Sequence, residues 1–298
     1  MQKTKAKIIF FGSFEFAVPT LEALVLADYD IVAVVANPDK PAGRKKVLTP
    51  PPVKVVAQKL GLQVLQPEKL KGNKEFLDSL NTKYLIQNTD LGIVVGYGKI
   101  IPPEIFNLPK HGTLVIHPSL LPKYRGPSPV QSAILNGDVD TGVTIMKVDE
   151  EMDHGDIIAA ADYRLSRDAS YEEAHGALFN RGTDLLLKIL PDYLAGEIKP
   201  KQQDHSKATN THKFITEDGE IKPTDTAEQA YNKIRALNPE PGTYIWFDRD
   251  NKKRRLKILE AELGGGKLEF KKVQPEGGRP MSFKDFLTGH PNFTFRLL

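Results

Sequence analysis

The chain has 298 residues, a length that as a prior divides into two domains, and 40% hydrophobic with 27% charged residues is a globular balance. It has no cysteine, which excludes disulfides and thiolate metal sites. No apolar run reaches the roughly 18 residues of a membrane helix, so no membrane partner and a reducing, cytoplasmic setting are expected.

Net charge is +3, and the excess lies toward the C-terminus. From Lys207 onward there are 17 Lys and Arg against 13 Asp and Glu. That tilt fits either a polyanionic partner or ordinary surface lysines.

The N-terminus is basic and then apolar, but the run from Ile8 to Phe11 stops at Gly12, with Glu15 close behind. It reads as a buried first strand, not a signal segment. Lys7–Phe11 is that strand, and a helix over Ala17–Leu26 begins near Pro19. Ile31–Ala36 and Leu62–Leu65 are predicted strands, Glu68–Leu80 a helix. Leu91–Val95, Thr113–His117, Gly142–Val148 and Ile157–Asp162 follow as strands. Short apolar strands separated by helical patterns predict an α/β fold. Its architecture is a Rossmann-like, mainly parallel sheet with helices on both faces, whose ligands bind beyond the carboxyl ends of the strands.

Ser170 and Glu173 form a capping box that opens a long helix reaching about Leu190, where Pro191 disturbs the pattern. Residues 1–195 form the expected first domain. The polar stretch 196–212 reads as a linker and 213–298 as a second domain. In the latter, a helix around Thr226–Leu237 precedes strands at Tyr244–Phe247, Arg255–Leu263 and Lys267–Val273. Strands of this length split by Gly and Asp fit a small barrel, of which an OB-like one is an option.

Four segments have the residue types of a site. Gly12, Ser13, Phe14 and Glu15 form a strand-to-helix turn able to offer backbone N–H groups, although it is not the dinucleotide GxGxxG pattern. Lys40, Arg44, Lys45 and Lys46 crowd a loop after the second strand, reading either as phosphate contacts or as a solvated loop. His117 closes a strand before a Pro-punctuated loop, where an imidazole serves as acid, base or oxyanion donor. Around Asp153, five carboxylates stand within Asp149–Asp156. They fit a hard cation or a single catalytic carboxylate, and the spacing is not that of an EF-hand.

Six segments taken together resemble the methionyl-tRNA formyltransferase family: FFGSFEFAVPTLEAL, NPDKPAGRKKVLTPPPVK, VVGYGKIIP, HPSLLPKYRGPSPVQSAI, TGVTIMKVDEEMDHGDI and NKIRALNPEPGTY. The resemblance covers nearly the whole chain. It implies formyl transfer from 10-formyltetrahydrofolate to the α-amino group of methionyl initiator tRNA, without a metal. A monomer is expected, because no segment reads as a dimerisation helix. The resemblance also implies a catalytic pair, His117 and Asp153. The family's catalytic Asn falls on Val115, which has no polar hydrogen to offer. Losing one oxyanion donor costs about 3 kcal/mol, or roughly 10²–10³ in rate.

Three readings of Val115 stay open: an inactivating change, a slowed enzyme relying on His117 and Asp153, or a replacement donor such as Ser119 or water. The resemblance places the folate against Val95, Gly96, Tyr97, Gly98 and Lys99, the turn of Ser119, Leu120, Leu121 and Pro122, and the loop of Asp153, Gly155 and Asp156. It puts the tRNA acceptor end at Arg44, beside Lys40, Lys45 and Lys46. Lys252, Lys253, Arg254 and Arg255 form a second expected tRNA contact or a solvated turn. Ser13-Phe14 where Thr-Pro is usual, Gly96 for Ala and His154 for Thr depart from the pattern near the folate. The alternatives are a non-catalytic aminoacyl-tRNA binder and a formyltransferase or hydrolase acting on small molecules.

Overall fold

The computed structural model describes residues 5–43, 46–82, 88–249, 252–291, 293–295 and 297. In chain order its elements begin with β1 (Lys7–Gly12), α1 (Val18–Leu26), β2 (Asp30–Val35), β3 (Lys40–Ala42), β4 (Val47–Thr49), α2 (Pro52–Lys59) and β5 (Val64–Leu65). Next come α3 (Lys74–Thr82), β6 (Leu91–Val95), α4 (Pro103–Phe106), β7 (Thr113–His117), α5 (Pro129–Leu135), β8 (Asp140–Lys147), β9 (Ile157–Arg164) and α6 (Tyr171–Leu194). The chain closes with α7 (Ala227–Leu237), β10 (Thr243–Arg249), β11 (Lys252–Gly264), β12 (Lys267–Pro275), β13 (Met281–Ser282) and α8 (Phe283–Thr288).

The chain folds into two compact units. One comprises Met1–Arg125, Gly142–Tyr163 and His175–Thr209, the other Gly126–Thr141, Arg164–Ala174 and Asn210–Leu298. This is not the contiguous split expected from the sequence. Two segments of the first stretch group with the C-terminal one, and residues 196–209 of the expected linker belong to the first unit.

The first unit is built on a seven-stranded sheet in the order β5-β2-β1-β6-β7-β8-β9. β1 pairs in parallel with β2 and β6, β6 with β7, and β2 with β5, whereas β8 runs antiparallel to β7. Because side chains alternate along a strand, the apolar run of β1 feeds both faces. Ile8 and Phe10 pack with Leu21 and Leu24 of α1, Val53 of α2 and Leu186 of α6. Ile9 and Phe11 pack on the other side with Leu80 of α3 and with Ile105 and Phe106 of α4. Each such side chain, fully buried, contributes about 1.5–3 kcal/mol. The expected doubly covered, mainly parallel sheet is present, and β1, β2, β6 and β7 end at one edge.

Local differences have physical causes. α3 starts at Lys74, not Glu68, because Gly72 adopts a φ of 71° and breaks the chain direction; Asn73 then caps the helix through Phe76 N–H at 3.0 Å. α6 continues past Pro191 to Leu194. Its last turn is held by buried Leu190 and by Tyr193, whose hydroxyl donates to the His111 carbonyl at 2.8 Å.

In the second unit β10-β11-β12-β13 form an antiparallel sheet, and among the described residues its outer strands are not paired to close a barrel. Ile245, Phe247, Leu256, Ile258 and Val273 pack there with Ala230 and Ile234 of α7 and Phe286 of α8. α7 starts at a reciprocal cap: Gln229 N–H donates to Thr226 Oγ1 at 3.1 Å, and Thr226 N–H to Gln229 Oε1 at 2.9 Å. Arg235 of α7 ties segment 164–174 to this unit by donating to the Ala169 carbonyl at 2.9 Å.

Candidate active site

His117 is the last residue of β7, opposite Thr144 of β8, at the carboxyl edge of the parallel strands. The residue is 5% exposed. Nε2 lies 2.9 Å from the Tyr124 carbonyl oxygen. A carbonyl only accepts, so Nε2 carries a hydrogen and the neutral ring leaves Nδ1 bare. Nδ1 faces Asp153 Oδ1 at 3.6 Å, an ion-pair distance longer than a hydrogen bond. An imidazole edge and a carboxylate that face each other at a strand end have the geometry for general acid–base work.

The loop that presents Asp153 follows β8. Asp153 itself has a φ of 52°, uncommon without a glycine. Gly155 admits no substitute, because a Cβ there would stand 2.0 Å from the Lys147 carbonyl oxygen. Asp149, in the same acidic run, is 2.7 Å from His154 Nδ1, and the His154 ring stacks on His205 at 4.0 Å. Among the described residues no three His, Asp or Glu side chains gather as metal ligands.

Val115 shares the His117 side of β7 by alternation. It is half-buried, with Val94 and Met146 as strand neighbours. Neither brings a polar hydrogen. Ser119, the side chain considered as a substitute donor, has one hydroxyl proton and gives it to the Lys123 carbonyl at 2.6 Å. Leu121 in the same turn is fixed through its N–H to Thr144 Oγ1 at 3.1 Å, Leu120 lies within 2.5 Å of where a Cβ on Gly142 would stand, and the Pro122 carbonyl accepts from Thr209 N–H.

Val95, the last residue of β6, is buried, and beyond it Gly96 and Gly98 take φ values of 53° and 76°. A Cβ on Gly96 would stand 2.2 Å from the Phe16 ring, which accounts for glycine where the family pattern has alanine. Phe14 stacks on Phe16 at 5.6 Å, so the ring that replaces the family's proline helps cover this loop. Tyr97 points into the core, and burial pushes its hydroxyl well above the usual range. Lys99 donates to the Pro67 and Glu68 carbonyls at 2.9 and 3.0 Å, and burial lowers its pKa.

Sequence reasoning missed Asn37. Its amide donates to the Tyr97 carbonyl at 2.8 Å and its N–H to Ser13 Oγ at 3.0 Å, while Oδ1 is buried without a partner. Its place after an apolar strand was the available signal. An open acceptor beside a glycine-built loop fits a flat heteroaromatic ring with N–H donors, held by backbone groups.

Lys40 and Lys46 are exposed, on and next to the β3–β4 hairpin, and Arg44 and Lys45 lie outside the described residues. In the second unit Lys252, Lys253, Arg254 and Arg255 open β11, where a solvated turn was the bland alternative. Arg255 is laid over Tyr244 and Trp246, 4.7 and 5.0 Å from their ring centres. Lys253 and Trp246 line a cleft of about 670 Å³.

Residues 6–193 match the family model described as formyl transferase, and residues 213–267 that of the formyl transferase C-terminal domain. The methionyl-tRNA formyltransferase of Sulfurihydrogenibium sp. is 37% identical over 95% of this chain and 97% of its own. That of Chloroflexus aurantiacus is 41% identical over 95% and 96%. Among solved structures, the methionyl-tRNA formyltransferase from Clostridium thermocellum superposes with a TM-score of 0.60 at 21% identity, over 91% of this chain and 98% of that one. An N-formyltransferase from Helicobacter canadensis gives 0.63 at 17% over 94% and 99%; both likenesses concern the fold. On the strength of the two sequence relatives, matched almost end to end, the chain belongs to the methionyl-tRNA formyltransferase family.

Proposed function

We propose that this chain transfers a formyl group from 10-formyltetrahydrofolate to the α-amino group of methionyl initiator tRNA, at a rate held down by Val115. The observation that carries the reading is the His117–Asp153 pair at the carboxyl edge of the sheet. The co-substrate supplies the formyl group, and the 95–99, 119–122 and 153–156 segments would hold it. As the amine attacks the formyl carbon, negative charge grows on the formyl oxygen. Protonated His117 offers its Nδ1 hydrogen to that charge, because Nε2 is already given to Tyr124. Asp153, facing the ring at 3.6 Å, orients it and takes a proton from the attacking amine, to be passed to the departing nitrogen. With valine at 115 and the Ser119 proton committed, the oxygen lacks a second donor.

The tRNA is met by the basic residues Lys40, Arg44, Lys45 and Lys46, and by Lys252–Arg255 of the second unit. Such a substrate places the reaction in the cytoplasm. His117 and Asp153 come from the same chain, so a monomer suffices. No helix among the described residues is long and apolar enough to cross a membrane.

The apolar neighbours of Val115 favour one second reading, an aminoacyl-tRNA binder without catalysis. Single-turnover formylation with the chain in excess separates the two. Slow, measurable transfer that drops at least ~10²-fold in His117→Ala supports the enzyme. Salt-sensitive tRNA binding with no transfer above background supports the binder. Arg44→Ala is expected to weaken tRNA binding with folate affinity unchanged; unaltered tRNA binding overturns the assignment of residues 40–46 to the tRNA.

A further inference from the structure

Residues 201–207, read from the sequence as linker, are exposed except at one position: Gln203 is 4% exposed. Its amide is saturated. Nε2 donates both hydrogens, to the Asp153 carbonyl at 3.0 Å and the Gly155 carbonyl at 2.7 Å. Oε1 accepts two, from Arg125 Nε at 3.2 Å and Nη2 at 2.7 Å. A flipped amide would set NH₂ against a guanidinium and oxygen against two carbonyls, so the orientation is unique. Arg125 is itself buried, and its Nη2 also donates to His205 Nδ1 at 2.8 Å.

The two carbonyls gripped by Gln203 bracket the loop that presents Asp153. That residue's positive φ needs outside support. The other side of the loop rests on β8, where Lys147 N–H donates to the Asp156 carbonyl at 2.9 Å. Tyr124 and Arg125 are adjacent in sequence. The first fixes His117 through its carbonyl, and the second reaches Asp153 through Gln203. Both are tied to the same segment, since Arg125 N–H donates to the Thr209 carbonyl and Tyr124 N–H to Thr209 Oγ1.

We propose that Gln203 is a positioning residue for formyl transfer: aimed by Arg125, it holds the 153–155 loop so that the Asp153 carboxylate faces His117. The proposal rests on the role assigned to Asp153 above. It makes residues 196–209 part of the catalytic apparatus.

Gln203→Glu keeps the volume and the acceptor toward Arg125 but turns an acceptor on the two carbonyls. Gln203→Met, of similar volume, removes both functions and keeps the test standing if the first variant misfolds. Formylation of methionyl initiator tRNA is measured for each, for Asp153→Asn and for the double variants. Gln203→Glu is expected to lower kcat roughly 10- to 100-fold with KM for tRNA and folate little changed. In the Asp153→Asn background the same change should cost less than about 2-fold, because its route to the chemistry is gone. A structural control, Thr183→Val, breaks the buried 2.7 Å contact with Thr20 in the same unit and should lower Tm while leaving kcat intact. Costs that multiply in the double variants overturn the proposal, as does full activity in Gln203→Glu beside a slow Asp153→Asn. Full activity in Asp153→Asn alone overturns the reading of the site itself.

Discussion

Acid should loosen the first unit through His175. This residue of α6 is half-buried with its ring 4.3 Å from Phe16 and 4.7 Å from Phe179. Burial pushes its pKa down from 6.5 to about 4. The folded value lies below the unfolded one, so the unfolded chain takes the proton first. The stabilisation is fully present above the unfolded value, declines as pH falls, and is gone once pH passes the folded value. The full shift corresponds to about 3 kcal/mol, and between neutral pH and pH 5 about 2 kcal/mol of it is lost. An imidazolium against the Phe16 ring returns about 0.5–1 kcal/mol. The assay is thermal unfolding at pH 7.5 and pH 5 for the chain and for His175→Leu, which cannot titrate there. The unsubstituted chain should lose roughly 2–8 °C more in Tm than the variant on acidification. Equal losses would refute the reasoning. Because Phe16 roofs Gly96, the same acidification should weaken folate binding before the unit unfolds.

Three further outcomes follow from single positions. Gly155→Ala forces the Asp153 loop off the Lys147 carbonyl; it should cost about 1–3 kcal/mol in thermal unfolding and lower the formylation rate at least ~10-fold. Arg255→Ala removes the cation lying over Tyr244 and Trp246. It should lower the salt slope of tRNA binding by about 1 with folate affinity unchanged, and the single tryptophan of the chain gives a fluorescence readout. Thr226→Ala removes one half of the α7 cap and should destabilise the second unit by about 1 kcal/mol without touching folate binding.

The parallel sheet was legible because β1, β2 and β6 carry near-continuous apolar runs, the composition of strands buried on both faces, set between helical patterns. The hairpin β3–β4 was not, since three-residue strands, Lys-Pro-Ala and Val-Leu-Thr, are too short to carry an alternation. Nor was α2, whose eight residues begin within a proline run and were assigned no element from the sequence. The pairing of His117 with Asp153, 36 positions apart, was an expectation of the family resemblance alone, since no local pattern links the two; the structure sets them 3.6 Å apart. Gln203 was hidden for a different reason. Its importance comes from four hydrogen bonds to partners remote in sequence, and nothing in a polar stretch distinguishes the one buried glutamine from its exposed neighbours. Gly96 looked like a loss of side chain until the Phe16 ring was found in the space a Cβ would take.

The most direct test restores the missing amide. Single-turnover formylation of methionyl initiator tRNA by 10-formyltetrahydrofolate is compared for the chain and for Val115→Asn. A gain on the order of 10²-fold or more is expected, with Asp153→Asn abolishing it, if the formyl oxygen lacks one donor at this position. A chain that is already fast, and to which asparagine adds nothing, would contradict the account of Val115 and of how the site stabilises charge.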